Sequence, residues 1–299
     1  MTAPAISRLL LALPIAALAA GALHAEEVTR KSAADPKGEV EIVNVAGLVE
    51  VIGWDRAEVQ VHADLGRGVE RLDFKTEGTR TRVKVVLPGM SGSSGSSDLI
   101  VQVPRGSSLN VNTVSADQNV SGVRGSQRLQ AVSGDIETEF GPGDLEAKTV
   151  SGSIRARGLD GKGSVRATSI SGDIQLDKVG SELDLNTVSG DMHVRVADRL
   201  ERGRIKTTNG DLDLTTALAK GSRLEAEAIN GDLSFVLRGE INAEFDIETF
   251  NGDIENCFGP QPRRSREYGP GNELRFTEGQ GDARIRVKTM NGAVDICKR

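Results

Sequence analysis

Seven aspartates recur one position after a glycine, or once an alanine: Asp117, Asp135, Asp173, Asp191, Asp211, Asp232 and Asp253. Stacked in register, such carboxylates would stand about 5 Å apart, where like charges repel and a cation could bridge them. The unbroken run Asp173, Asp191, Asp211, Asp232 and Asp253 is the place where calcium would thread. Calcium-binding rolls, however, use paired glycines in G-G-x-G-x-D, and this chain has none. The simpler chemistry is that each Asp caps its own turn by accepting backbone N–H bonds. The expectation is therefore no metal and no cofactor.

Acid columns also line the clefts of polysaccharide-cleaving β-helices. Hydrolysis by paired carboxylates needs two acids in unlike environments, whereas a uniform column supplies equivalent ones. Outside the first 25 residues, which hold His24, only His62 and His193 remain, and no nucleophile-elbow sequence accompanies them. Two His and two Cys fit no zinc spacing, and there is no phosphate loop or dinucleotide fingerprint. The residues predict no catalytic site.

Cys257 and Cys297 each stand five residues after a motif glycine. In neighbouring coils, equivalent positions lie about 4.8 Å apart, within Cα reach of a disulfide. Closing the 40-residue loop is worth roughly 4 kcal/mol in the chain-entropy model.

What positions these residues is a repeat. "KTVSGSIRA", "TSISGDIQL", "NTVSGDMHV", "AINGDLSF", "TFNGDIEN" and "TMNGAVDI" align on turn glycines Gly134, Gly152, Gly172, Gly190, Gly210, Gly231, Gly252 and Gly292, with Ala116 in that place one unit earlier. The intervals are 18 to 21 residues, except for the last, which is 40. Apolar columns stand five before the glycine (Val111 to Val287), two before it (Val114 to Met290) and two after it, with a polar column four before. Apolar–polar alternation over short runs is strand periodicity, so each unit reads as strand, tight turn, strand, loop. A period near 20 residues predicts an all-β single-chain solenoid, since one such unit cannot bury enough surface alone. The left-handed hexapeptide helix fails, because stepping by six from Val114 soon reaches Ser126 and Asp144.

Arg8 followed by "LLLALPIAALAAGAL" and a small residue at Ala25 reads as a signal peptide over 1–25, too short an apolar run to span a bilayer comfortably. Residues 26–38 are a disordered or extended leader. Residues 39–108 keep strand alternation without the repeat, giving an N-terminal β-strand cap region, and 109–299 are the solenoid. The interval after Gly252 holds either one degenerate coil or an inserted loop at about 258–273; its Pro, Gly and Arg263, Arg264 and Arg266 favour the loop. The abrupt end at "DICKR" predicts an exposed strand edge for self-association.

Net charge is −6, and removing 1–25, with one Arg and no acid, makes it −7. An acidic chain with 3% aromatics lacks both the basic stripe and the stacking platforms that nucleic acid requires.

With "VEVIGWDRAEVQVHA" at 49–63, "DLIVQVPRGSSLNVNTVSAD" at 98–117 and the serial T-V-S-G-D and N-G-D units, residues 39–299 resemble a bacterial family of exported β-strand-repeat proteins. That family is described by adhesin roles and built around a domain of unknown function. The resemblance implies a non-enzymatic structural or adhesin-like binding surface, periplasmic or extracellular, whose partner is an envelope protein or a surface glycan. The alternatives are a polysaccharide-active enzyme on a β-helix and an envelope-stress signalling component.

Overall fold

The computed structural model describes residues 26–88, 95–265 and 270–299. The signal peptide, and Arg266 of the basic cluster, lie outside these residues. The chain is an all-β solenoid without helix among the described residues.

Each coil enters its glycine turn on one sheet and leaves it on a second. In the entry sheet, Leu145–Ser151 lies parallel between Gln127–Ser133 and Ser164–Ser171, pairing Ala147 with Leu129 on one side and Ala167 on the other. In the exit sheet, Ile154 pairs with Ile136 and Ile174. The column five before the glycine is buried throughout, and the column two after it joins the same core, from Ile136 to Val294.

The alternation does not reach the glycine as the apolar columns suggest. Parity places positions five and three before the glycine inside, so small residues such as Thr149, Ser169 and Thr187 are buried there. Position two before it, though apolar, faces out. The chain narrows toward the turn, and only small side chains fit inside at that point.

The solenoid begins earlier than the repeat shows. Glu39–Trp54 is itself a coil, pairing in parallel with Ser108–Val123 so that Gly47 stands opposite Ala116. Its other flank is covered by Arg80–Val86 and Ser96–Pro104, also parallel. Antiparallel strands then finish this end: Arg71–Glu77 on Arg80–Val86, and Glu58–Leu65 followed by Glu26–Ala33 on the exit side. The excursion from 55 to 107 hides the Gly47 coil from a search for constant spacing.

At the other end the coils do not stack in chain order. Ala283–Asn291 pairs with Leu212–Asn230 on one side and with Ala243–Asn251 on the other, so the last coil is inserted between the Gly231 and Gly252 coils. Val294–Lys298 is likewise flanked by Leu233–Leu237 and Ile254–Asn256. The expected free edge at the C-terminal strand is therefore not there: that strand is interior. The terminal position belongs to the Gly252 coil, whose entry strand is covered by the antiparallel Asn272–Glu278 and then Arg263–Arg264. Phe245, Phe258 and Phe276 close the core here, with ring centroids 4.4 to 5.6 Å apart.

Two charge columns favour this order, while a third, Arg202, Arg223, Arg284 and Glu244, sets cations opposite one another. On the outer face of the entry sheet, one column reads Arg204, Glu225, Arg286, Asp246 in space, and the next reads Lys206, Glu227, Lys288, Glu248. Signs alternate, with Lys206–Glu227 at 2.7 Å, Lys288–Glu248 at 2.9 Å and Arg286–Asp246 at 3.3 Å. Stacked in chain order, Glu225 would meet Asp246 and Glu227 would meet Glu248. Opposed like charges across a ladder destabilise, whereas unlike pairs contribute about 0.2–1 kcal/mol each.

Candidate functional site

The turn column is the most regular part of the molecule. Backbone bonds run straight through it: the Gly152 N–H donates to Ser171 O at 3.0 Å and Ile154 N–H to Asp173 O at 2.8 Å. A Cβ at Gly210, where φ is +146°, would lie 2.1 Å from the carbonyl oxygen of Gly190. Stacked coils at this spacing leave no room for a side chain.

The aspartates face along the stack. Asp117 Oδ1 accepts the N–H of Asp135 at 2.9 Å, Asp135 that of Ser153 at 2.8 Å, and Asp173 that of Asp191 at 2.9 Å. Asp191 receives Asp211, Asp211 receives Asp232, and Asp232 receives Ala293. Each carboxylate thus caps the next coil rather than its own turn, a correction to the sequence reading. Asp253 ends the row, in the terminal coil. The backbone N–H of Ser153 holds the Asp135 carboxyl below the usual carboxylate range, against the opposing effect of burial and with further help from Arg155. The column brings no three of these carboxylates together; among the described residues the single group of three ligand-type side chains is Cys257, Asp295 and Cys297. The two cysteines stand at disulfide distance, with Cα atoms 4.8 Å apart.

The histidines are apart. His193 Nδ1 lies 2.9 Å from Asp213 Oδ2 in the exit sheet, while His62 meets Thr29 and Gln60 at the N-terminal end. Neither pair adds an activated nucleophile to an acid and a base.

The feature that sequence reasoning missed is the column two before the glycine. In spatial order Val114, Val132, Val150, Ile170, Val188, Thr208, Ile229, Met290 and Phe250 form one outward ladder, and all except Thr208 expose 42–54% of their surface. At ~4.8 Å a rung it runs for about 38 Å. Strand parity, counted inward from the buried column five before the glycine, would have revealed it. A serine column (Ser115 to Ser189) borders it over five coils and an asparagine column over the rest. The asparagines bond in series: Asn230 Nδ2 donates to Asn209 Oδ1, Asn291 to Asn230, and Asn251 to Asn291, at 2.7 to 2.9 Å.

Toward the C-terminal end the ladder becomes the floor of a cleft of about 700 Å³. Ile229, Met290 and Phe250 supply the apolar surface, while Ser265, Pro270 and Asn272 of the excursion wall it. Asn272 is fixed by donating to Gly252 O at 2.8 Å. The charges around the rim are paired: the Lys288 ammonium, by hydrogen bonding, holds Glu248 below the ordinary carboxylate range. The cleft is an apolar seat with a neutralised edge.

Residues 49–297 match the model of the Toastrack DUF4097 family, and the chain belongs to that family. Among solved structures it is similar to a candidate lipid binding protein from Parabacteroides distasonis, at 13% identity over 91% of this chain and 96% of the other, with a TM-score of 0.44. It is also similar to a candidate adhesin from Bacteroides fragilis, at 9% identity over 91% and 97%, TM-score 0.37. A third is a candidate cell adhesion protein from Clostridium sporogenes, at 9% over 92% and 100%, TM-score 0.27. No curated protein matches the chain.

Proposed function

We propose that this protein is a non-enzymatic, exported β-solenoid that serves as an adhesin-like binding surface in the cell envelope. The observation that carries the reading is the outward aliphatic ladder ending in the Ile229–Met290–Phe250 cleft. Scattered exposed aliphatics are ordinary, but a contiguous row of this length marks an interaction site. Aliphatic rungs bordered by amides favour a protein partner over a glycan, which is gripped through aromatic rings. The enzyme alternative finds little support in the acid column, because six of its seven members already serve as amide acceptors. Cys257 and Cys297 form a structural disulfide in this reading, tying the inserted coil to the terminal one.

The test is a photo-crosslinking residue placed at Ile229 or, on the exposed exit face, at Gln175, in living cells of the source bacterium. One dominant envelope protein captured from position 229 and not from 175 is the expected result. Equal capture from both faces, or none from 229, would overturn the assignment.

A further inference from the structure

The ladder has two zones of different chemistry. Over the last four rungs the side chains are large or polar, the border is asparagine, and the excursion stands beside them. Over the first five, Val114, Val132, Val150, Ile170 and Val188, every rung is β-branched and aliphatic, and every border residue is serine. None of these five rungs lines the cleft that the excursion walls, which reaches only Asn186 of the column beside them.

We propose that this N-terminal zone is a docking surface for a second copy of the same chain. Three observations point to that occupant. The first is period: a row of branched side chains at ~4.8 Å spacing interdigitates along its whole length only with another row of the same spacing, as paired sheets do in steric zippers. The second is symmetry. With two ladders antiparallel about a two-fold axis through Val150, Val114 meets Val188, Val132 meets Ile170 and Val150 meets its own copy, so all five contacts are aliphatic. The flanking serines are small enough to let the two faces approach.

The third observation is charge. The chain is acidic at −6, yet the column on the other side of this zone reads Asn112, Gln130, Lys148, Thr168 and Asn186. It contains no acid, and its one cation is paired with Glu146 of its own chain. The rungs and their two bordering columns thus carry no unpaired acid, the nearest being the turn aspartates Asp117, Asp135, Asp173 and Asp191 beyond the serines.

Each copy offers roughly 350 Å² of aliphatic surface here, at about 70 Å² per rung, within the range of a functional patch. That is below the ~800 Å² per partner of a stable complex, so the dimer belongs to the weak, reversible class. None of the five rungs lines the Ile229 cleft, so substitutions at Val150 test the dimer without altering the lining of the proposed partner site.

Sedimentation velocity from about 1 to 500 µM is the direct test. A concentration-dependent monomer–dimer equilibrium is expected, shifted by at least tenfold toward monomer in Val150→Glu, which sets two carboxylates on the axis, and unchanged in Gln175→Glu. Both positions are exposed, and an unaltered melting temperature checks that each variant is folded. Val150→Cys adds an independent readout, because oxidation should join two copies at the axis, whereas Gln175→Cys should not. A protein that stays monomeric throughout, or a dimer indifferent to Val150→Glu, overturns the proposal.

Discussion

Replacing Gly190 and Gly221 by alanine, one at a time, separates two reasons for which a chain needs glycine. Gly221 has φ +74° and nothing within 4 Å of where a Cβ would stand. Its cost is backbone alone, about 1–2 kcal/mol. Gly190 has φ +143°, and its Cβ would lie 2.3 Å from the carbonyl oxygen and 2.6 Å from the carbonyl carbon of Gly172. Ordinary carbon contacts begin near 3.5 Å, so the coils must part locally by about 1 Å. The bonds astride that contact are Gly172 N–H to Ser189 O at 2.9 Å, Gly190 N–H to Asn209 O at 3.0 Å and Asp191 N–H to Asp173 Oδ1 at 2.9 Å. Weakening two of them costs about 2 kcal/mol at ~1 kcal/mol each, and the strained backbone adds about 1–3 kcal/mol. Gly190→Ala should therefore destabilise by about 3–5 kcal/mol, more than Gly221→Ala at any point of the two ranges. Urea unfolding followed by circular dichroism reads this as a midpoint shift at equal slope. Equal midpoints for the two variants would refute the reasoning, leaving turn conformation rather than coil stacking as the reason for the column.

The coil order is checked by paired cysteines on the outer face. Glu227→Cys with Lys288→Cys, adjacent in register, should oxidise to a crosslink, whereas Glu227→Cys with Glu248→Cys, two rungs or roughly 9.6 Å apart, should not; the reverse pattern would restore chain-order stacking. Acid should destabilise the fold. Glu248 and Glu146 are held low by hydrogen bonds from Lys288 and Lys148, Asp135 by the Ser153 amide, and Asp246 by Arg275 and Arg286, which outweigh the upward push of its burial. Because these groups bind protons more weakly when folded, the stability they confer is present above the ordinary carboxylate range and is lost as pH falls through it. Melting temperature should be flat from pH 7 to 5 and fall toward pH 3; a flat profile over the whole range would contradict the ion-pair ladders.

The coil period, the turn and the inward columns were legible because the same side chain must recur wherever the same environment recurs. Three things were obscured, each for a physical reason. The Gly47 coil carries the same turn, but an excursion separates it from Ala116, and spacing searches see only regular intervals. The outward ladder is indistinguishable by composition from the inward columns, because Val114 to Met290 look like core residues; hydrophobicity marks a surface for burial without saying by what. The coil order was readable in principle from Glu225, Asp246 and Arg286, but only once the columns were known to be opposed. The aspartates follow the turn glycine in the sequence, while the direction of their bonds depends on how close the coils lie, which a sequence does not show.

The inserted coil has a consequence for how the molecule comes into being. A solenoid whose coils stack in chain order can add each new coil to the one before it. Here the final stretch, Ala283–Lys298, must find its seat between two coils that are already made. Until then the Gly231 and Gly252 coils have no lasting neighbour on their facing sides, and each presents a bare row of amides and carbonyls. Completion is thus deferred to a coil made after both of its neighbours, and a chain that lacks it is left with an open seam in its wall rather than a shorter version of the same structure.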